Sequence, residues 1–398
     1  MKFDLLKINS IDQAKKIMKN INADDIGIEL MINKTINLSF LIYECDFYIA
    51  NILKQEALAS GIDACVSKDT ITAKVTKTDC LVFGDVKRLY TLANKLVNQN
   101  FKDLRELGSK LKQQLNAYFS SFLWQVDDKI FDLTNDYLIM GILNVTPDSF
   151  YDGGKYDTVS KALFRCEQIL NEKADIIDIG AVSTRPFSQI VTQDEEKKRL
   201  LPVLEAIRKR FPDAILSVDT FNSSVAKEAF NYNVSIINDI SGFTFDENMS
   251  ECIIKCNFSC VIMHIKGTPK TMQENPIYTY LITEINDFFD NAIQKLSKNN
   301  YDTKKIVLDP GIGFGKSLEH NLEIIKNIES FKIFGRPILI GLSRKSFIGN
   351  ILNKDVNERL FGTIGANVAS YFHGARIFRV HDVAANKEAL ELAYQLNN

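Results

Sequence analysis

Polar and charged side chains recur at the ends of the short apolar runs in the second part of this chain. In order, they are Asn144, Asp178 with Thr184 and Arg185 shortly after it, Asp219, Asn238 with Asp239, His264, Asp309, Ser343, Arg344, Lys345, and Arg379 with His381. Carboxylates and amides form hydrogen bonds with polar groups, and cations neutralise anionic groups. We therefore expect one cleft in which these side chains meet around a small polar ligand.

The stretch from Leu138 to Gly154 shows how such a residue is presented. It is apolar as far as Leu143 and turns polar at Asn144, as a strand buried on both faces does when its carboxyl end opens into a loop. Proline and glycine residues then shape the loop for turns. The density of polar groups in this loop exceeds what solubility requires, so chemistry is expected there.

Eight apolar, β-branched runs predict eight strands. They are Leu138–Leu143, Ile176–Ile179, Ile215–Val218, Ser235–Ile237, Val261–Met263, Ile306–Leu308, Ile338–Ile340 and Ile377–Phe378. The intervening segments have helical periodicity, clearest between Leu281 and Leu296. Eight strand and helix units in about 260 residues predict a (β/α)8 TIM barrel, whose active site lies at the rim formed by the carboxyl ends of its strands.

The leading part of the chain predicts a separate, smaller α/β domain over residues 1–119, with the barrel domain over residues 120–398. Strands are predicted at Leu38–Tyr43 and Cys80–Phe83, and helices at Ile52–Ala59, closed by Gly61, and at Leu104–Tyr118. The sequence of this domain shows no phosphate loop, metal cluster or group of catalytic residues, and it does not indicate a function. Residues 120–136 predict a linker and a hairpin whose Phe131 and Leu133 pack under the barrel floor.

Composition favours small-molecule partners. A formal net charge of -2 and 25% charged residues give no field that would gather nucleic acid or a membrane surface. No signal peptide or membrane span is seen, so we expect a cytoplasmic protein. Seven cysteines predict reduced thiols rather than disulfides. Cys252, Cys256 and Cys260 follow a helical spacing of four residues and are interpreted as packing residues rather than as a cluster site.

The sequence DPGIGFGKS after Asp309 invites a nucleotide-binding interpretation. A P-loop requires a glycine at the position that Pro310 occupies here, ahead of Gly315 and Lys316. No acidic residue for a ribose follows at the end of a next strand either. We therefore interpret this stretch as a flexible rim loop rather than as a phosphate site.

At these positions the sequence resembles the dihydropteroate synthase family. The matching stretches are ILNVTPDSFYDGG (142–154), IDIGAVSTRP (177–186), SVDT (217–220), INDISG (237–242), MHIKGTPKTMQ (263–273), LDPGIGFG (308–315), GLSRKS (341–346) and RVHDV (379–383). The resemblance covers the chain from about Trp124 to its end. It implies condensation of 6-hydroxymethyl-7,8-dihydropterin diphosphate with 4-aminobenzoate to give 7,8-dihydropteroate and diphosphate in folate biosynthesis.

The resemblance also implies roles for individual residues. The pterin-binding residues would be Asp219, Asn238, Asp309, Lys345 and Arg379. The diphosphate would bind Asn144, Arg379 and His381, with Mg²⁺ as the cofactor at Asn144. The 4-aminobenzoate pocket would be formed by Phe150, Thr184, Pro186, Phe314, Lys345 and Ser346. Catalysis would be dissociative, with Asp152, Arg185 and Lys345 as the catalytic residues. The loops that hold Asp152 and Arg185 would neutralise the leaving group and exclude water from the pterin cation.

Two alternatives remain open at this point. A pterin-dependent methyltransferase that uses methyltetrahydrofolate resembles the same barrel but needs no diphosphate site. A non-catalytic folate-binding barrel would keep the pterin residues and lose the loops, whereas Asp152, Arg185 and Lys345 are all present. The family further implies a homodimer formed through the outer helices.

Overall fold

The chain forms two compact units, Met1–Phe119 and Ser120–Asn398. The structure is a computed structural model that describes residues 1–146, 155–182, 191–272 and 274–397, except for the side chains of residues 155–157. Within these ranges, no helix is both long and apolar enough to cross a bilayer.

The first unit is a small α/β fold around a three-stranded antiparallel sheet. Its elements are α1 (Ile11–Asn20), α2 (Asp25–Met31), β1 (Asn37–Asp46), α3 (Phe47–Ala59), β2 (Asp63–Cys65), β3 (Lys77–Asp85), α4 (Val86–Val97) and α5 (Lys102–Tyr118). The strands lie in the order β1-β3-β2, and Cys80 and Val82 point from β3 into the core. The two predicted strands and two predicted helices are confirmed, and the sequence interpretation missed α1, α2, α4 and β2.

The second unit begins with a hairpin and continues with alternating strands and helices. Its strands are β4 (Leu123–Val126), β5 (Lys129–Asp132), β6 (Leu138–Asn144), β7 (Ile176–Gly180), β8 (Leu216–Asp219), β9 (Ile236–Asp239), β10 (Ser259–Met263), β11 (Ile306–Asp309), β12 (Leu339–Ile340) and β13 (Ile377–Val380). Its helices are α6 (Lys155–Asn171), α7 (Gln193–Arg210), α8 (Ser223–Ala229), α9 (Met249–Cys256), α10 (Leu281–Ser297), α11 (Leu318–Lys326), α12 (Ser346–Leu352), α13 (Leu360–Phe372) and α14 (Val383–Asn397).

Strands β6 to β13 form one parallel sheet of eight strands in the order β11-β10-β9-β8-β7-β6-β13-β12. A bridge between Leu308 and Ile338 joins the two ends of this sheet. The predicted (β/α)8 barrel is therefore confirmed. Several strands extend one or two residues beyond the predicted apolar runs, because the polar residues that follow those runs remain in the sheet.

The alternation of side chains along each strand separates two environments. In β7, Ile177 and Ile179 point outward to the core shared with the helices, and Ile176 points inward. Asp178, one pleat above Ile176, is completely buried inside the barrel. In β11, Val307 likewise faces the barrel interior, and Asp309 follows it two residues later on the same face. The barrel interior is consequently apolar at its lower end and polar at its rim.

The hairpin β4–β5 closes the lower end of the barrel. Trp124 has no exposed surface, and its Nε1 donates a hydrogen bond to the carbonyl of Lys305 at 3.3 Å. Phe131 and Leu133 pack with it against the lowest inward layer of the strands. The predicted packing of the hairpin under the barrel floor is confirmed.

The three closely spaced cysteines do not share one helix. Cys252 and Cys256 lie on α9, as their spacing predicts, but Cys260 is buried on β10. The predicted helical placement is wrong for Cys260, because Asn257, in the left-handed region with φ of 56°, ends the helix before it.

Candidate active site

Five of the sequence-predicted residues meet inside the barrel at its rim. Four of them are the last or next-to-last residues of their strands: Asp219, Asn238, Asp309 and Arg379. Asn238, Asp309 and Arg379 each follow an inward-facing apolar residue by two positions, and Asp219 is paired in register with Asn238. Lys345 reaches the same space from the N-cap position of α12. The barrel thus brings carboxylates, an amide and two cations together from five separate loops and strands.

Arg379 is held between two buried carboxylates. Its Nε donates to Asp178 Oδ2 at 2.6 Å, and its Nη2 donates to Asp219 Oδ2 at 2.7 Å. Burial opposes the charged guanidinium, but the two carboxylates outweigh it and raise the pKa of Arg379 above its ordinary value. Burial raises the pKa of Asp219, with Arg379 opposing this change and Asp178 adding to it. The guanidinium plane is therefore fixed at the centre of the cleft.

Asp178 organises the neighbouring strands. It accepts hydrogen bonds from Ser217 Oγ at 2.6 Å and from Asn238 Nδ2 at 3.1 Å, in addition to the one from Arg379. The amide of Asn238 thereby has a fixed orientation, with its Nδ2 turned toward Asp178. The sequence placed Asp178 at a strand end but assigned it no role. Its position two residues after Ile176 in the same strand could have indicated that Asp178 faces the barrel interior.

Asp309 and Lys345 form the opposite side of the cleft. Asp309 Oδ1 accepts the backbone N–H of Gly311 at 2.7 Å, and burial raises the pKa of this carboxyl to about 6. Burial lowers the pKa of Lys345 to about 8, with Asp309 opposing the change. The Lys345 Nζ lies 4.0 Å from the centroid of the Phe314 ring, in a cation–π contact. Ser346 follows as the exposed first residue of α12.

Two contacts join the last two rim loops. The Ser343 Oγ lies 3.0 Å from His381 Nδ1 and accepts the His381 backbone N–H at 3.2 Å. Arg344 makes a two-point ion pair with Asp382, with distances of 2.7 and 3.0 Å. Ser343, Arg344 and Asp382 were not assigned a role from sequence. Their polar character at neighbouring strand ends was a signal, but only the fold shows that the two loops are joined.

Asn144 and His381 border a separate part of the rim. Both line a cavity of about 570 Å³ between β6 and α6, whose wall also includes Lys161 and Arg165. The Arg165 Nη2 donates to the carbonyl of His381 at 2.6 Å, which fixes the last loop against α6. This space is lined by an amide side chain and by the cationic Lys161 and Arg165, and these cations suit an anionic group.

No cluster of three or more His, Cys, Asp or Glu residues that could hold a metal occurs in the described parts of the chain. Asn144 at the end of β6 supplies one neutral oxygen. Mg²⁺ prefers oxygen ligands, retains waters and commonly binds through substrate phosphates. The donor set is therefore compatible with Mg²⁺ that is shared with a bound diphosphate, and it does not form an all-protein metal cage.

Five residues assigned by resemblance lie outside the described residues. They are Phe150, Asp152, Thr184, Arg185 and Pro186.

Comparisons with known proteins agree with the geometry of this rim. Residues 140–381 match the family described as Pterin binding enzyme. The chain is 36% identical over 374 residues to the bifunctional dihydropteroate synthase/dihydropteroate reductase of Helicobacter pylori, covering 94% of this chain and 93% of that protein. It is 42% identical over 254 residues to the dihydropteroate synthase of Haemophilus influenzae, covering 64% and 92%.

A solved structure shows the same barrel. The dihydropteroate synthase of Xanthomonas albilineans with 4-aminobenzoic acid matches with a TM-score of 0.65 and 32% identity, over 70% of this chain and 99% of that one. The polar set on the barrel rim, the match over most of the barrel and the relatives at more than a third identity lead to one conclusion. The chain belongs to the dihydropteroate synthase family of pterin-binding transferases.

Proposed function

We propose that this barrel condenses 6-hydroxymethyl-7,8-dihydropterin diphosphate with 4-aminobenzoate, giving 7,8-dihydropteroate and diphosphate. The observation that carries the proposal is the convergence of Asp309, Asn238 and Lys345 around the ion-paired Arg379 at one barrel rim. A cleft with these groups offers acceptors and donors to a polar ring and positive charge to a leaving anion. Membership of the family supplies the reaction class.

Pterin recognition is assigned to the buried part of the cleft. The 2-amino-4-oxo edge of a pterin presents donors beside an acceptor, which suits the carboxylates of Asp219 and Asp309 together with the amide of Asn238. Lys345 supplies an ammonium donor on the same side as Asp309. Arg379, fixed by its two carboxylates, offers a flat guanidinium face on which a ring can stack.

The diphosphate is assigned to Asn144, Arg379 and His381. Their placement on two sides of the rim, with Arg165 close to His381, supports this assignment. We infer that Mg²⁺ is held by the Asn144 amide oxygen together with ligand oxygens, where it would lower the negative charge of the leaving diphosphate. Ser343 orients the His381 ring by its hydrogen bond to Nδ1.

The 4-aminobenzoate is assigned to the outer part of the cleft. Phe314 offers an apolar wall next to the Lys345 ammonium, and Ser346 offers exposed polar atoms at the start of α12. An aromatic acid needs apolar walls with a polar end, and this pair of neighbours provides both. By resemblance, Phe150, Thr184 and Pro186 complete the pocket.

A dissociative reaction requires no covalent enzyme nucleophile. The bond from the pterin methylene carbon to the diphosphate oxygen breaks, and its electron pair leaves with the diphosphate. The amine nitrogen of 4-aminobenzoate then forms the new carbon–nitrogen bond and loses a proton to solvent. The role of this chain is to stabilise the leaving anion, orient the amine and exclude water, the last by resemblance a task of Asp152 and Arg185.

One assay tests the proposed function. Purified protein is incubated with the pterin diphosphate, 4-aminobenzoate and Mg²⁺, and dihydropteroate is measured by chromatography. Product formation that depends on all three supports the proposal. Methyl transfer from methyltetrahydrofolate without dihydropteroate would favour the methyltransferase, and pterin binding without either product would favour the non-catalytic barrel.

We propose dihydropteroate reduction as a second candidate function. The match to the Helicobacter pylori bifunctional protein is longer than the whole Ser120–Asn398 unit, so it continues into the first unit. Reduction to tetrahydropteroate consumes two electrons and two protons, so the assay must include a reduced flavin or nicotinamide as the electron donor. The control is the chain without Met1–Phe119, which is expected to keep synthase activity and to lose any reductase activity.

We also infer a homodimer formed through outer helices of the barrel. Phe361 on α13 is 84% exposed, and Phe372, three helical turns later on the same face, is also exposed. Light scattering on the purified chain is expected to give twice the monomer mass, and Phe361→Glu is expected to give the monomer mass. A monomer for the unaltered chain at micromolar concentration contradicts the inference.

A further inference from the structure

Lys316, the last residue of the glycine loop after β11, is buried although its sequence context suggests a rim position. Only 2% of its surface is exposed. Its Nζ lies 2.9 Å from His264 Nδ1 and donates to the carbonyls of Phe314 at 3.0 Å and His264 at 3.3 Å. All three contacts are to neutral atoms. The amine is therefore turned into the protein, away from any phosphate that a P-loop lysine would contact.

The glycine loop is packed directly on the segment that follows β10. A Cβ added to Gly311 would lie 2.0 Å from the carbonyl oxygen of His264, and one added to Gly315 would lie 2.2 Å from that of Lys266. Both glycines have positive φ, at 69° and 66°. The sequence predicts a flexible loop here, whereas only glycine fits these two positions. Lys316 bonds to both packed segments and so joins them.

His264 is a neutral hydrogen-bond acceptor toward Lys316. Burial, together with the nearby Lys316 and Lys266 charges, lowers the pKa of His264 to about 2. Its ring packs edge-on against Phe288 at a centroid distance of 5.0 Å, which limits its rotation. A neutral ring that accepts at Nδ1 carries its proton on Nε2. The histidine is thus a fixed acceptor for the lysine amine.

Phe314 connects Lys316 with the ligand cleft, because its carbonyl accepts a hydrogen bond from Lys316 and its ring faces the cleft at Lys345. The carbonyl of this residue faces Lys316, and its ring lies 4.0 Å from the Lys345 Nζ. The backbone conformation at Phe314 therefore decides where the ring and the ammonium meet. Asn321 accepts the Gly313 N–H and Tyr278 donates to the Gly315 carbonyl, each at 2.7 Å, so these two side chains hold the glycines on either side of Phe314.

We propose that Lys316, paired with His264, is a positioning residue that selects for 4-aminobenzoate by holding Phe314 against Lys345. This proposal rests on the proposed function, which assigns Phe314 to the 4-aminobenzoate subsite. Burial lowers the pKa of Lys316 to about 7, so the fold retains an amine where its charge is disfavoured. A neutral residue would fill the same space at a lower cost in stability, which fits a role in the site better than a role in packing alone.

Lys305 supplies a matched control. It is also buried, at 5% exposed, and its Nζ also donates to a backbone carbonyl, that of Asn257 at 3.1 Å. Lys305 precedes β11, at the opposite end of the barrel from Lys316. Replacing either lysine by methionine removes a buried amine and keeps a chain of similar length. Only the replacement at the rim is expected to change substrate affinity.

The test compares Michaelis constants for the two substrates in the full chain. Lys316→Met is expected to raise KM for 4-aminobenzoate about tenfold, since one charged hydrogen bond to the Phe314 backbone is lost. The KM for the pterin diphosphate and kcat are expected to stay within about twofold. Lys305→Met is expected to leave all three constants unchanged. His264→Leu removes the partner and is expected to give the same selective rise, whereas His264→Gln keeps an acceptor and is expected to restore much of the affinity.

Several outcomes overturn the proposal. One is an unchanged KM for 4-aminobenzoate in folded Lys316→Met and His264→Leu, and another is an equal rise for both substrates, which indicates a general structural defect. Circular dichroism identifies an unfolded variant, and His264→Leu then decides, because it keeps the Lys316 amine and removes the His264 acceptor that holds this amine in place. If the unaltered chain makes no dihydropteroate, the proposed function fails; if it does and the selective rise is absent, only this inference fails.

Discussion

The floor and the rim of the barrel are built by the same strands, but the side chains that face the interior are apolar at the floor and charged at the rim. At the floor, Trp124 and the hairpin pack on apolar inward residues such as Ile176 and Val307. At the rim, one pleat higher, the inward positions are Asp178, Asp219 and Arg379. The change takes place within about 7 Å along the strands. We therefore expect stability and chemistry to be separated along the barrel axis.

Two ionisable groups at the rim, Asp309 and Lys345, are held in surroundings that disfavour their charged forms. The pKa of Asp309 is raised to about 6, so its protonated form is favoured in the fold. Its contribution to stability is present below its ordinary pKa near 4 and is lost as the pH rises from about 4 to 6. For Lys345, with a pKa lowered to about 8, stability is lost as the pH falls from about 10 to 8. At neutral pH, Asp309 and Lys345 thus keep charges that the fold disfavours.

Trp124→Ala tests the floor and carries the largest expected effect. The change removes a fully buried indole and its hydrogen bond to Lys305, so the free energy of unfolding should fall by about 3 to 5 kcal/mol. Urea unfolding measures it, with the exposed Ile130→Ala on the same hairpin as the control. The activity of the folded fraction should be normal. A loss of kcat in folded Trp124→Ala would show that floor and rim are not separate.

Lys345→Met tests the rim in the same way. Removing the ammonium beside Asp309 and Phe314 should lower kcat about 10² to 10³-fold, as the loss of one preorganised electrostatic group does. The melting temperature should not fall, because burial already disfavours this charge. Lys305→Met at the floor is the control. The separation is contradicted if Lys345→Met is as active as the unaltered chain, or if its main effect is on stability.

Asp309→Asn should weaken pterin binding by about 10- to 100-fold. The substitution keeps an oxygen for the Gly311 N–H and replaces one acceptor that faces the ligand by a donor, a mismatch of about 1 to 3 kcal/mol. Calorimetry with the pterin measures it. Asp302→Asn, which changes a carboxylate just before the same strand at the floor end, should bind the pterin normally. Equal affinity in both variants would remove Asp309 from the pterin site.

The pH dependence of pterin binding should show a smaller effect. With the pKa of Asp309 at about 6, a ligand that requires the carboxylate should bind about tenfold more weakly at pH 5 than at pH 7. The groups that oppose the raised pKa are the Gly311 N–H, Lys345, Lys316 and Arg379. Asp309→Asn should abolish the dependence, which assigns the titration to this residue. A dependence that persists in Asp309→Asn would assign it elsewhere.

The sequence predicts the barrel well because its strands are buried on both faces. Runs such as Leu138–Leu143 are apolar without interruption, and this pattern separates them from the amphipathic helices. The candidate site followed from the same pattern, since polar residues such as Asp219 and Asp309 end these runs. Strand bounds were less well predicted. An apolar run stops at its last apolar residue, whereas Asn238 and Asp239 stay in the sheet.

The pairing of the rim residues could not be predicted, because it depends on which strands are neighbours. Asp178 and Arg379 are far apart in sequence and meet at 2.6 Å only because β6 lies between β7 and β13. Lys316 likewise follows a glycine loop that resembles a phosphate-binding one. Only the packing of that loop against His264 shows that its amine points inward. Spacing along the chain carries no information of this kind.

The bridge between Leu308 and Ile338 marks the place where we expect local opening of the barrel. β12 has only two residues, and the Leu308 N–H pairs at this seam with the carbonyl of Pro337, a residue that has no N–H to return. We therefore expect the seam to open at a lower free energy than the longer strand pairs, and hydrogen exchange should find its amide hydrogens among the first of the sheet to exchange. Because the seam runs between the strands that end near Asp309 and Lys345, such an opening would move the two groups apart and widen the cleft.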